Sequence, residues 1–146
     1  MPVKPNFLER VAFFTTNAAP GVLLDLVGAL AYQTLSTTVQ LNLFPALEEQ
    51  PGTAAELADR LNVQERGMVA LLGALESIGY VERRNDRYAN SKLTQKWLLD
   101  NEAFDSASLL AYWDAAMRDL WSYAPQVLRT GERPYDFYNR SEEHTS

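Results

Sequence analysis

The chain has 146 residues, of which 47% are apolar and 22% are charged, and its formal net charge is −6. This composition is typical of one folded globular domain, and it excludes disordered, collagen-like and coiled-coil proteins. The sequence contains no cysteine, which excludes a disulfide framework, a thiolate nucleophile and a cysteine-based metal site.

Histidine occurs once, at His144, two residues from the end of the chain. Histidine and cysteine provide the commonest general base, metal ligand and nucleophile, so we expect catalytic chemistry to lie elsewhere. Residues 140–146 match the in-frame translation of a widely used sequencing-library adapter, which predicts a non-native tail. The alternative is a natural polar tail. With a non-native tail, the natural sequence is expected to break off at Asn139.

The first ten residues lack the basic start, apolar run and cleavage site of a signal peptide. The most apolar window, residues 20–32, is shorter than a bilayer span and contains Asp25. We therefore expect a cytoplasmic protein that makes no contact with a membrane.

The first block, residues 1–52, is predicted to consist of helices. The helix predicted after Pro20 and Gly21 has almost no polar face. Its apolar residues are Leu23, Leu24, Leu26, Val27, Leu30, Ala31 and Leu35. A helix that is apolar on every side needs cover on every side, which a partner subunit would supply. We therefore predict a homodimer with interface candidates Leu23, Leu26, Val27 and Leu30. The alternative is the central core helix of a monomer.

The second block, residues 53–100, begins with a predicted capping box between Thr53 and Glu56. A short helix over residues 54–61, a turn at Asn62 and a second helix over residues 63–79 are predicted next. Gly79 provides the stop of the second helix. Its buried stripe is predicted at Met68, Leu71, Leu72, Leu75 and Ile78.

Two short strands, residues 80–83 and 87–89, are predicted on either side of a turn, and residues 93–99 resume a helix. Helix, turn, helix and hairpin together make a winged helix-turn-helix. The predicted fold class is mainly α, with this unit and its two-stranded hairpin between dimerisation helices and a long linker helix.

A winged helix raises the hypothesis of a DNA-binding transcription regulator. Across residues 53–100, however, seven basic residues meet seven acidic ones, whereas DNA affinity depends on a basic surplus. The predicted outward face of the second helix consists of Arg66, Ala70, Gly73 and Ser77, and Arg66 is its one cation. Three arginines of the hairpin could contact a phosphate backbone, namely Arg83, Arg84 and Arg87. They lie beside acidic residues in the sequence. We expect no nucleic-acid contact, and the regulator stays as the alternative.

The third block, residues 101–139, is predicted to be mostly one long linker helix. Its large side chains share one face, at Leu110, Trp113, Met117, Leu120, Trp121 and Ala124. Pro125 should kink or loosen the end of this helix, and residues 130–134 should form a loop. Part of the stripe is expected to face a further domain.

Several segments, in their order and spacing, resemble the N-terminal, winged-helix-like dimerisation region of small-molecule S-adenosylmethionine-dependent O-methyltransferases. They are LNLFPAL at 41–47, TAAELA at 53–58, the helix end at 71–79, YVER at 80–83 and YANS at 88–91. Residues 114–121, 128–131 and 134–136 resemble the linker that leads into the catalytic domain of these enzymes. The similarity extends from about residue 20 to residue 138.

The resemblance implies a parent enzyme that moves a methyl group from S-adenosylmethionine to an oxygen, or another heteroatom, of a small and often aromatic acceptor. The cofactor and catalytic residues would lie in a domain beyond Asn139. The chain itself is therefore predicted to contain no catalytic, cofactor-binding or metal-binding residue and to be inactive alone. The candidates for contact with the methyl acceptor are Tyr112, Trp113 and Met117, with core packing as their alternative. A stand-alone dimerisation or adaptor module without chemistry is the third hypothesis.

Overall fold

The computed structural model describes residues 21–99 and 105–143, without the side chains of residues 106, 138 and 140–143. The chain divides into two compact units, residues 1–107 and residues 108–146. Residues 1–20 of the predicted first helical block lie outside the described residues.

The first unit carries five helices and one hairpin in its described residues. They are α1 (Gly21–Gln40), α2 (Leu43–Glu49), α3 (Ala54–Arg60), α4 (Glu65–Ile78), β1 (Val81–Arg84), β2 (Arg87–Asn90) and the short α5 (Lys92–Thr94). The described part of the remaining chain contains α6 (Ser106–Asp119), α7 (Ala124–Thr130) and α8 (Pro134–Glu143). A mainly helical fold with one small antiparallel hairpin is thus confirmed.

The helix-turn-helix forms where the sequence predicts it. Glu56 N donates to Thr53 Oγ1 over 3.2 Å, and Thr53 N donates to Glu56 Oε2 over 2.8 Å, which completes the capping box. Asn62, in the turn before α4, has a φ of 53°, a conformation that asparagine tolerates better than most residues. Gly79, with a φ of 84°, ends α4.

The hairpin is antiparallel, with Arg84 opposite Arg87 across a two-residue turn. Asn85, the first residue of that turn, has a φ of 59°. Tyr88 N donates to Gly52 O over 2.8 Å, and Gly52 N donates back to Tyr88 O over 3.2 Å. These two bonds attach the hairpin to the loop that precedes α3.

The core of the first unit lies between α2, α3, α4 and the hairpin. Its buried members are Leu43, Phe44, Leu47, Leu57, Ala58, Met68, Leu72, Leu75, Val81 and Tyr88. The predicted stripe of α4 is confirmed: Met68, Leu72 and Leu75 are buried, and Leu71 and Ile78 pack partly against the same core.

Helix α1 differs from its sequence-based interpretation, because the side chains that it buries are Ser36 and Thr38. Thr38 Oγ1 donates to Thr34 O over 2.7 Å, so its hydroxyl is satisfied within the helix. Small side chains allow close approach between packed elements, and α1 contacts both α2 and α4. The leucines of its N-terminal half therefore stay outside this core.

The prediction of one long helix over residues 101–139 is wrong, because helix α6 ends at Asp119. A short 3-10 turn, Trp121–Tyr123, separates α6 from α7. Pro125 lies in the first turn of α7, where its missing N–H costs no hydrogen bond. Gly131, with a φ of 75°, ends α7 before the predicted loop. The predicted helix over residues 93–99 is instead α5 followed by a π-helical turn, Gln95–Leu99.

Candidate functional site

The N-terminal half of α1 presents an apolar surface, which we call the leucine surface. It consists of Val22, Leu23, Leu24, Leu26 and Leu30, all exposed. Leu30 is 60% exposed although it lies in the middle of the helix. Of the interface candidates, Leu23, Leu26 and Leu30 belong to this surface, whereas Val27 is half-buried. Val22 and Leu24 extend the surface beyond the candidate set.

The C-terminal half of α1 holds the leucine surface in place. Leu35 and Val39 pack partly against the core, beside the buried Ser36 and Thr38. Asn42, with a φ of 55°, forms the turn between α1 and α2. The first two residues of α2 then enter the core, so the anchored end of α1 is continuous with the most buried part of the unit.

The leucine surface is almost free of charge, since Asp25 is the one ionisable acidic or basic residue in α1. Exposed apolar patches of this kind mark protein or membrane contacts. By length and composition α1 could cross a bilayer, which corrects the expectation drawn from the shorter window at residues 20–32. Core helices of soluble proteins and signal sequences near an N-terminus meet the same criterion.

The hairpin arginines, which are the candidates for a DNA-gripping wing, all make contacts within the chain. Arg83 Nε donates to Asn85 O over 2.9 Å, and the Arg83 guanidinium lies 5.5 Å from the centroid of the Tyr88 ring. Arg84 pairs with Glu82 over 3.5 Å. Such internal contacts leave less of each guanidinium for a phosphate backbone.

Arg87 joins the hairpin to the start of α3. Its Nη2 donates to Pro51 O over 2.6 Å, and its Nη1 lies 3.1 Å from Glu56 Oε2. The hydrogen bond from the Thr53 backbone, together with Arg87, lowers the pKa of Glu56 below its ordinary value. Arg87 therefore stabilises the fold at this position.

The outward face of α4 is exposed as predicted, at Arg66, Ala70, Gly73 and Ser77. One cation on this face, and a charge-neutral block around it, give little electrostatic attraction for DNA.

An aromatic surface lies on α6, in the second unit. The three acceptor-contact candidates, Tyr112, Trp113 and Met117, are all exposed, and Trp121 in the following 3-10 turn is 63% exposed. The Tyr112 and Trp113 ring centroids are 5.7 Å apart in an edge-to-face arrangement. Their assignment to the methyl acceptor stays a prediction.

A small pocket of about 220 Å³ lies between α6 and α8, and we call it the tyrosine pocket. Its lining consists of Tyr112, Ala115, Ala116, Asp119, Leu120 and Tyr135. Tyr112 is thus the one acceptor candidate in this lining. The spacing of residues 112, 115, 116 and 119 places them on one stripe of a helix, a signal that the larger aromatic stripe obscured.

Within residues 21–99 and 105–143, no group of three or more His, Cys, Asp or Glu side chains is arranged to hold a metal ion.

The model of the O-methyltransferase dimerisation domain matches residues 24–100, from the fourth residue of α1 to beyond the end of α5. The tetracenomycin polyketide synthesis 8-O-methyl transferase TcmO of Streptomyces glaucescens is 30% identical over 116 residues, covering 78% of this chain and 34% of TcmO. The 3-hydroxy-5-methyl-1-naphthoate 3-O-methyltransferase of Streptomyces sahachiroi is 35% identical over 81 residues, covering 55% of this chain and 24% of that enzyme.

The structure of PigF with SAH is similar, with a TM-score of 0.66 and 26% identity, over 75% of this chain and 32% of PigF. PigF comes from Serratia and is described as an S-adenosyl-L-methionine-dependent methyl transferase. The chain spans about a third or less of the length of these relatives. Because the family model matches residues 24–100, more than half of its length, the chain belongs to the O-methyltransferase dimerisation domain family.

Proposed function

We propose that this chain is the dimerisation and pocket-closing region of an S-adenosylmethionine-dependent O-methyltransferase that acts on a small aromatic molecule. The observation that carries the proposal is the leucine surface, which belongs to the same helix whose C-terminal half packs against the core. Family membership and relatives named as O-methyltransferases support the reaction class. The naphthoate named for one relative supports an aromatic acceptor.

A second copy of the chain is the occupant that fits the leucine surface best. Fully burying a leucine or valine side chain is worth about 1.5–3 kcal/mol, so five such side chains favour association strongly. A surface with little charge has few groups to desolvate on pairing. We propose a homodimer in the cytoplasm, with no nucleic-acid or membrane partner.

Methyl transfer from S-adenosylmethionine is a displacement at the methyl carbon, for which alignment and exclusion of water are the main protein contributions. The described residues contain no strand followed by a glycine-rich loop, the usual cradle of a nucleotide-like cofactor, so none of them is assigned to the cofactor. The role proposed for this chain is to exclude water and to help define the acceptor site.

The residues proposed for that role are Tyr112, Trp113 and Met117. Aromatic and thioether side chains suit a flat apolar acceptor, because they offer large contact areas and Met adapts to irregular shapes. Their exposure in the described chain leaves them available for such contact.

The dimer is tested by sedimentation of the chain with the substitution Leu30→Glu. A charge placed in the leucine surface would have to be buried without a partner, so the variant should sediment as a monomer under conditions where the unmodified chain is a dimer. The matched control is Ala55→Glu, which adds the same charge at an exposed position of α3. Equal dimerisation of the Leu30 variant, or a monomeric unmodified chain at high concentration, contradicts the proposal.

A further inference from the structure

We draw no further inference here: the strongest candidate, the cleft formed by β1, the end of α4 and the start of α5, has two of its three cations, Arg83 and Arg84, already in contact with groups of the hairpin itself, and nothing in the structure shows what covers it.

Discussion

Glu56 connects three parts of the first unit through one carboxylate. It closes the capping box of α3 with Thr53, and it pairs with Arg87 at the start of β2. Arg87 in turn donates to Pro51 O in the loop before α3. The helix start, its preceding loop and the hairpin are therefore held together by residues that are local in space and distant in sequence.

The capping box can be tested at Thr53. Thr53→Ala removes the side-chain acceptor for Glu56 N and should lower the free energy of unfolding by about 1 kcal/mol. Thr53→Ser keeps the hydroxyl and should be nearly neutral. Urea unfolding followed by circular dichroism measures both. An alanine variant as stable as the serine variant would show that the cap contributes nothing here.

The Glu56 carboxylate should also make stability depend on pH. Its pKa in the folded chain is lowered from an ordinary value of 4.5, so its contribution is fully present above that value and is lost as the pH falls through the folded pKa. Glu56→Gln should therefore be less stable than the unmodified chain near neutral pH, and the gap should narrow on acidification below about pH 4.5.

Urea midpoints measured along a pH series give this gap directly. Glu49→Gln makes the same charge change at an exposed position of α2 and controls for general electrostatic effects. A gap between the unmodified chain and the Glu56 variant that stays constant from neutral to acid pH would contradict the prediction.

At the scale of elements, periodicity was informative where one face of a helix is buried by its own chain. The stripe of α4 was predictable because Met68, Leu72 and Leu75 follow helical spacing and meet α3 and the hairpin. In α1 the apolar residues occur on every side, so their pattern could not indicate that the small Ser36 and Thr38 face the core. The sequence did not predict that α6 ends at Asp119. Pro125 suggested an interruption only near the end of one long helix, whereas in the structure it lies in the first turn of a new helix, α7, five positions after Leu120.

The buried stripe of α4 predicts a large effect at Leu72, which is fully buried. Leu72→Ala removes three carbon atoms from a closely packed core and should lower the free energy of unfolding by about 2–5 kcal/mol. Leu128→Ala, on α7, makes the same chemical change at a side chain that is 87% exposed, and should change stability by about 0.5 kcal/mol or less. Similar unfolding midpoints for the two variants would mean that α4 does not pack as described.

At the scale of the whole molecule, the sequence was sufficient to predict the winged-helix arrangement and the apolar character of α1. It was less informative about the second unit, because residues of α6 and α8 form the tyrosine pocket and their proximity is a tertiary feature. Tyr112 was singled out from its helix, whereas Asp119 and Tyr135 emerge as pocket residues only in three dimensions. The shape of such a pocket depends on tertiary packing, which periodicity does not encode.

We propose that the cofactor binds to a part of the parent enzyme outside this chain, and this leads to a prediction about the chain by itself. Residues 24–100 match the O-methyltransferase dimerisation domain, and the described residues provide no glycine-rich loop after a strand for S-adenosylmethionine. Isothermal titration of the chain with S-adenosylmethionine should therefore give no saturable heat, while PigF under the same conditions should give a binding isotherm, since its structure is described with SAH. A saturable isotherm from the unmodified chain would contradict the assignment. If the Leu30→Glu monomer also bound the cofactor, the site would lie within one copy; if it did not, the site would require the dimer.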